Sequence, residues 1–199
     1  MNISERVEQL ILNKDYDELS NLTFKIDLDY LIDNLDKEKK DAYISWIMKA
    51  NFKLKKYDYN IFFIERLILS GKENYELYVY LFASLMINED YYRIKSHIEK
   101  SILLNSDEVN NILNGELSPM SIIANIDDDY KFTCLMLLLI FDDVFNYNVR
   151  INSDNVMIAC FDLIDQAYSN INGIYDSGRL EMLELIASIA FKKSIRLDK

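Results

Sequence analysis

Four glycines and one proline in 199 residues limit what this chain can fold into more than any other feature. A sheet protein reverses direction every few residues, and those reversals draw heavily on Gly, Pro, Asn and Asp. Helices joined by short polar links need far fewer. Apolar residues recur at three- and four-residue intervals almost throughout, the signature of amphipathic helices. The expected fold is therefore all-α, with about 9–11 helices paired as antiparallel hairpins in an α-solenoid-like array or an irregular bundle. Apolar residues make up 50% of the chain and aromatic residues 13%, which supplies a core and excludes intrinsic disorder.

The same scarcity excludes several chemistries. No Gly-rich phosphate loop of the GxGxxG or GxxxxGK[ST] type can be read. His97 is the sole histidine, and Cys134 and Cys160 are the only cysteines, too few for a zinc or di-iron site. His97 lies in amphipathic helical text and is expected at a surface or boundary. Both cysteines lie in apolar helical text and are expected as buried, reduced thiols. The amino terminus lacks the basic and apolar sections of a signal peptide. The longest apolar run, 132–141 broken only by Thr133, falls short of the ~20 residues that span a bilayer. The sequence thus predicts a soluble, cytoplasmic protein with no cofactor, no metal and no catalysis of its own.

Helix boundaries follow from local signals. Asn2 with Glu5 and Asp15 with Glu18 read as capping boxes, and a short third helix follows Asp27. A charged turn or helix start at 36–40 leads into a helix over 41–54 that buries Tyr43, Ile44, Ile47 and Met48. The next helix, 57–69, is closed by a cap at Ser70-Gly71. Helices follow at 74–87 and 90–104, with a short one after Ser106, and Ser118-Pro119 marks a restart. Three longer helices are expected near 128–147, 154–170 and 178–195. The chain reads as one domain, with a hairpin-repeat half at 1–106 and an acidic half at 107–199. Helix 128–147, apolar nearly all round, is expected at the centre of the acidic half.

Tyr57 and Tyr91 are 34 residues apart, and each opens a helix after a helix and a short turn. Aligning them pairs Ile44 with Tyr78, Ile47 with Leu81 and Ile64 with Ile98. A helix–turn–helix period of 34 residues is that of tetratricopeptide repeats, and 41–106 resembles a degenerate member of that class. Phe82, Glu89 and Ser106 depart from its usual small residue, Gly and Pro. The resemblance implies a peptide-holding groove lined from the first helix of each pair, including Asn51, Lys55, Tyr78 and Leu85.

The net charge of −11 is unevenly spread. Residues 1–100 hold 18 acidic and 15 basic side chains, whereas 101–178 hold 12 acidic ones against only Lys131 and Arg150. Asp107 and Glu108 open the acidic stretch. Asp127, Asp128 and Asp129 precede a helix, where carboxylates cap and complement the dipole. Asp162 and Asp165 share one polar helix side. Asp142 and Asp143 lie near a helix C-terminus, where they oppose the dipole. A sustained single-sign stretch predicts a cationic partner. Its candidate contacts are Asp127, Asp128, Asp129, Asp142, Asp143, Asp162, Asp165 and Asp176. Tyr130, Tyr147, Tyr168 and Tyr175 are candidate anchors, because Tyr combines contact area with a polar tip. Asp142-Asp143-Val-Phe-Asn resembles the aspartate-rich motif of helical terpene synthases, but its third acidic position is Asn146 and no basic cluster accompanies it. A sequence pI near 4.6 disfavours direct nucleic-acid binding.

In size, acidity and helical character the chain resembles the small acidic immunity proteins of bacterial contact-dependent inhibition and polymorphic toxin systems. That resemblance implies a protein that binds and neutralises a cognate antibacterial toxin. A basic nuclease is the expected target, because its active-site groove must be cationic and an acidic face meets it rapidly. The alternative is a helical-repeat adaptor or scaffold for a peptide or protein partner; an enzyme ranks below both.

Overall fold

A computed structural model describes residues 2–104, 107, 126, 128–140 and 177–197. Among these residues the regular structure is nine helices and no strand, so the fold is all-α as the Gly and Pro scarcity requires. Contacts group the chain into two compact units, Met1–Asn88 and Glu89–Lys199. This boundary falls within the turn after the sixth helix, earlier than the charge-based division at 106/107.

The first unit holds α1 (Ile3–Leu12), α2 (Tyr16–Lys25), α3 (Leu28–Asp33), α4 (Lys40–Lys53), α5 (Tyr57–Leu69) and α6 (Tyr75–Ile87). Their starts are set by side-chain acceptors that satisfy otherwise orphaned backbone donors. At α1 the capping box is complete: Glu5 N donates to Asn2 Oδ1 at 2.8 Å and Asn2 N donates to Glu5 Oε2 at 2.9 Å. At α2 it is half formed. Glu18 N donates to Asp15 Oδ1 at 3.1 Å, but the Glu18 carboxylate turns to Lys25 at 3.2 Å and Arg6 at 3.5 Å. Two cations attract a carboxylate more than one neutral N–H does. The hydrogen bond from Lys25, then that from Asn21 and the nearby charges, holds the Glu18 carboxyl below its ordinary range. Asp27 caps α3 through Tyr30 N at 3.0 Å, and Asn74 caps α6 through Leu77 N at 2.9 Å. Asp36 accepts from both Glu38 N and Lys39 N, which holds 36–39 as a turn and delays α4 to Lys40.

Helix ends share one device. Lys14 (φ 55°), Lys55 (φ 59°) and Gly71 (φ 85°) follow α1, α4 and α5 in the left-handed region, and Glu89 (φ 62°) follows α6. At the first three, the next amide reaches back five residues: Asp15 N to Leu10 O at 2.9 Å, Lys56 N to Asn51 O at 2.9 Å, and Lys72 N to Leu67 O at 3.0 Å. This is the Schellman closure, which satisfies orphan carbonyls. Three of the four positions carry no Gly, and each such residue forgoes roughly 1 kcal/mol of backbone energy. After the turn comes a helix opened by Tyr: Lys14-Asp15-Tyr16, Lys55-Lys56-Tyr57 and Glu89-Asp90-Tyr91. The last two are offset by 34 residues; the first lies 41 before the second, because α3 intervenes. Burial follows the same register, since Ile44 and Tyr78, Ile47 and Leu81, and Ile64 and Ile98 are all buried.

Within this unit α4 packs against α1, α2, α5 and α6. It buries Tyr43, Ile44, Ile47 and Met48, the face expected from their spacing. A buried aliphatic of this size contributes about 1.5–3 kcal/mol. Phe52 meets Tyr57 and Tyr80 edge-on at 5.3 and 5.4 Å, and Tyr16 stacks on Trp46 at 6.5 Å beneath the Lys53 ammonium. Two polar pairs interrupt the apolar contact. Ser20 Oγ donates to Asn51 Oδ1 at 2.6 Å between α2 and α4, and Asn60 Nδ2 donates to Ser84 Oγ at 3.4 Å between α5 and α6. All four residues are fully buried, and each amide keeps one atom, Asn51 Nδ2 or Asn60 Oδ1, without a hydrogen bond.

The second unit contains α7 (Tyr91–Lys100), α8 (Asp129–Ile140) and α9 (Ser177–Leu197). Every residue from Phe132 to Leu138 is buried, so α8 is enclosed on all sides, as an all-round apolar helix must be. It packs on α9, whose Met182, Leu183, Ile186, Ala187, Ile189 and Ala190 form the buried stripe. The helices expected after Ser106, from Pro119 and over 154–170 lie outside the described residues.

Two stability measurements check this account. Lys55→Gly should raise the urea midpoint, by about 1 kcal/mol in free energy, while Gly71→Ala should lower stability by a similar amount. A Cβ at Gly71 meets nothing within 4 Å, so that loss would be backbone strain alone. A destabilised Lys55→Gly would refute the left-handed turn. Ser20→Ala should cost about 1–3 kcal/mol by stranding the Asn51 amide, and adding Asn51→Leu should recover most of it.

Candidate interaction surface

Three of the predicted partner-binding residues lie in the described structure, together at the start of α8. Asp128 is exposed and caps the helix: Lys131 N donates to its Oδ1 at 2.6 Å and Phe132 N to its carbonyl at 2.9 Å. Asp129 and Tyr130 are half-buried, and the Asp129 carbonyl accepts the Thr133 hydroxyl at 2.7 Å. The Asp128 carboxylate therefore performs a local task, satisfying an orphan amide, as well as adding to the field. Asp127, Asp142, Asp143, Asp162, Asp165, Asp176, Tyr147, Tyr168 and Tyr175 lie outside the described residues.

The groove expected from the repeat resemblance is not built from the residues named for it. Asn51, Tyr78 and Leu85 are fully buried; Lys55 alone is exposed, in the left-handed turn. Asn51 is held by Ser20, and the Tyr78 ring lies 5.5 Å from Phe82 while its hydroxyl donates to Glu73 at 2.6 Å. Asn51, Tyr78 and Leu85 form the packing between helices, not an open lining.

Among the described residues no three His, Cys, Asp or Glu side chains gather as a metal site, and no helix is long and apolar enough to cross a membrane. His97 is half-buried on α7. Cys134 is a free thiol fully enclosed in α8, and burial pushes its pKa far above the ordinary thiol range. Cys160 lies outside the described residues.

A surface that the sequence did not reveal lies on the outer side of α5. Tyr59, Phe62 and Leu69 are 42%, 54% and 79% exposed along one face of that helix. Arg66, between them, reaches Asp29 of α3 at 2.6 Å, and the adjoining Tyr30 is 57% exposed. Periodicity alone counts Phe62 and Leu69 as ordinary apolar text. The signal that distinguishes them is the register of the Tyr-led helices, which becomes visible once Tyr16 joins Tyr57 and Tyr91.

No family model, curated protein or solved structure matches this chain. The functional reading therefore rests on charge, burial and geometry.

A labelling test follows from Cys134. In the native protein it should stay unmodified by iodoacetamide at mildly alkaline pH, and react fully in denaturant. Above about pH 8.5 an exposed thiol in the unfolded chain loses its proton while the buried one keeps it. That contribution makes stability fall as pH rises, by up to about 1.4 kcal/mol per unit, and Cys134→Ala should remove it. Rapid native labelling would place Cys134 at the surface instead.

Proposed function

We propose that this protein is a cytoplasmic immunity protein that binds and neutralises a basic antibacterial toxin, with no catalysis of its own. The observation that carries the reading is the distribution of charge. Ion pairs offset many of the charges in the first unit: Lys39 with Glu8 at 2.6 Å, Lys49 with Glu76 at 3.4 Å and Arg66 with Asp29 at 2.6 Å. Residues 101–178 hold 12 acidic side chains and only two basic ones, so most of that charge has no counterpart nearby in sequence. Sustained repulsion lowers stability, and a cationic partner would relieve it. Asp127–Asp129, Asp142–Asp143, Asp162, Asp165 and Asp176 would meet the toxin's basic groove. Tyr130, Tyr147, Tyr168 and Tyr175 would supply anchoring contact.

A second reading, a helical-repeat adaptor, is favoured by one observation. The left-handed turn, the Tyr that follows it and the buried positions recur at the same offset, as in arrays that bind extended partners. The acidic stretch and the solvent-facing helix sides would then hold different parts of a partner.

The first reading predicts a complex with the toxin domain encoded beside this chain, stable at low ionic strength and released near 1 M salt, where the screening length is about 3 Å. Asp127→Asn, Asp128→Asn and Asp129→Asn combined should weaken it by about tenfold or more, because Asn keeps the helix cap while removing three charges. Unchanged affinity in that triple variant, together with salt-insensitive binding, would refute the acidic face.

A further inference from the structure

The recurring turn supplies an internal comparison for every helix that follows it. With the opening Tyr of α2, α5 and α7 counted as the first residue, the fourth residues Leu19, Asn60 and Ile94 are buried, and the eighth residues Thr23, Ile64 and Ile98 are buried too. The outward positions, the third, sixth and tenth residues, are Glu18, Tyr59 and Arg93, then Asn21, Phe62 and Ser96, then Lys25, Arg66 and Lys100. In α2 these outward residues are polar and bonded to one another: Lys25 donates to Glu18 at 3.2 Å and Asn21 to Glu18 at 3.5 Å. In α7 they are polar as well. Only α5 places two aromatic rings there, and Leu69 extends the stripe one turn further. Scattered exposed apolar residues need no explanation, but a stripe at positions that are polar in both equivalent helices does.

We infer that the outer face of α5 docks an amphipathic helical segment of another protein, one that flanks its apolar anchors with Lys or Arg. The spacing of Phe62 and Leu69, seven residues apart, matches two turns of a partner helix laid along α5. The rim fixes the sign of the partner. Asp58 stands exposed beside the stripe on α5 and Asp33 on the exposed side of α3, while Arg66 is already paired with Asp29. That ion pair joins α3 to α5. Acidic rim and apolar centre together favour a basic amphipathic helix over an acidic or purely apolar one. The inference stands apart from the acidic stretch at 101–178, and different variants test the two.

The test uses the full chain and a designed fluorescent helical peptide of about 18 residues, with Leu on one face and Lys on the other. A control peptide carries Glu in place of Lys. Binding to the intact protein should perturb the amide resonances of α5, with the control about tenfold weaker or worse. The double variant Tyr59→Glu and Phe62→Asn takes the residues that α2 carries at those positions, and should bind the Lys peptide about tenfold less tightly. Charge alone predicts the opposite, because Tyr59→Glu adds a negative charge, so equal or tighter binding by the variant would overturn the proposal. Equal binding of the Glu peptide would overturn the basic partner. A concentration-dependent dimer abolished by the same substitutions would assign the face to a second copy of this chain and also overturn it. Perturbations of the wild-type amides that map away from α5 would do the same, and this readout does not depend on the variant folding.

Discussion

A single residue in the left-handed region, followed at once by a helix N-terminus, determines how this chain turns back on itself. Lys14, Lys55 and Glu89 occupy that conformation without the relief a Gly would give. The cost is tolerable because each turn closes a helix, and at Lys14 and Lys55 the following amide caps an orphan carbonyl. In the first unit the links into α3 and α4 use no left-handed residue, whereas the turns at Lys14 and Lys55 orient α2 and α5. They set which side of α4 meets α2 and which meets α6, and so where Ser20, Asn51, Asn60 and Ser84 are buried as pairs. They also set which side of α5 is left in water.

The helical fold was legible because it rests on what the chain lacks. With so little Gly and Pro, amphipathic spacing had only one regular structure to fit, and the Tyr57–Leu69 boundaries came from a Tyr-led start and a Ser70-Gly71 stop. What was not legible were features that depend on a neighbouring helix. Asn51 and Leu85 look like outward or groove positions until α2 and α6 are placed beside their partners. Glu18 looks like the return arm of a capping box until Lys25 and Arg6 are near enough to take it. Tyr16 does not stand out in the sequence because α3 lengthens the first interval from 34 to 41 residues, which hides the turn from a fixed period.

The two candidate surfaces differ in kind. In the proposed reading the acidic stretch would act over distance, through charge that salt screens, and would favour fast encounter with a cationic partner. The α5 face, as inferred, would act only on contact, through apolar area beside carboxylates, and would favour one shape of partner. Asp128 shows how a residue can serve both local order and long-range field, since its carboxylate caps α8 while adding negative charge. Phe62 has no comparable structural duty: it is half-exposed on a helix whose core contacts are made by Ile61, Phe63, Ile64 and Leu67.

Lys14, Lys55 and Glu89 occupy equivalent turns, and only that equivalence sets Phe62 against Asn21 and Ser96. The most direct measurement is the intraresidue amide–Hα nuclear Overhauser effect at these three residues in the labelled protein. Positive φ brings the two protons close, so all three should give strong signals while the helical residues on either side give weak ones. A weak signal at Lys55 or Glu89 would mean that the turns are not the same, and would remove the register on which the reading of α5 rests.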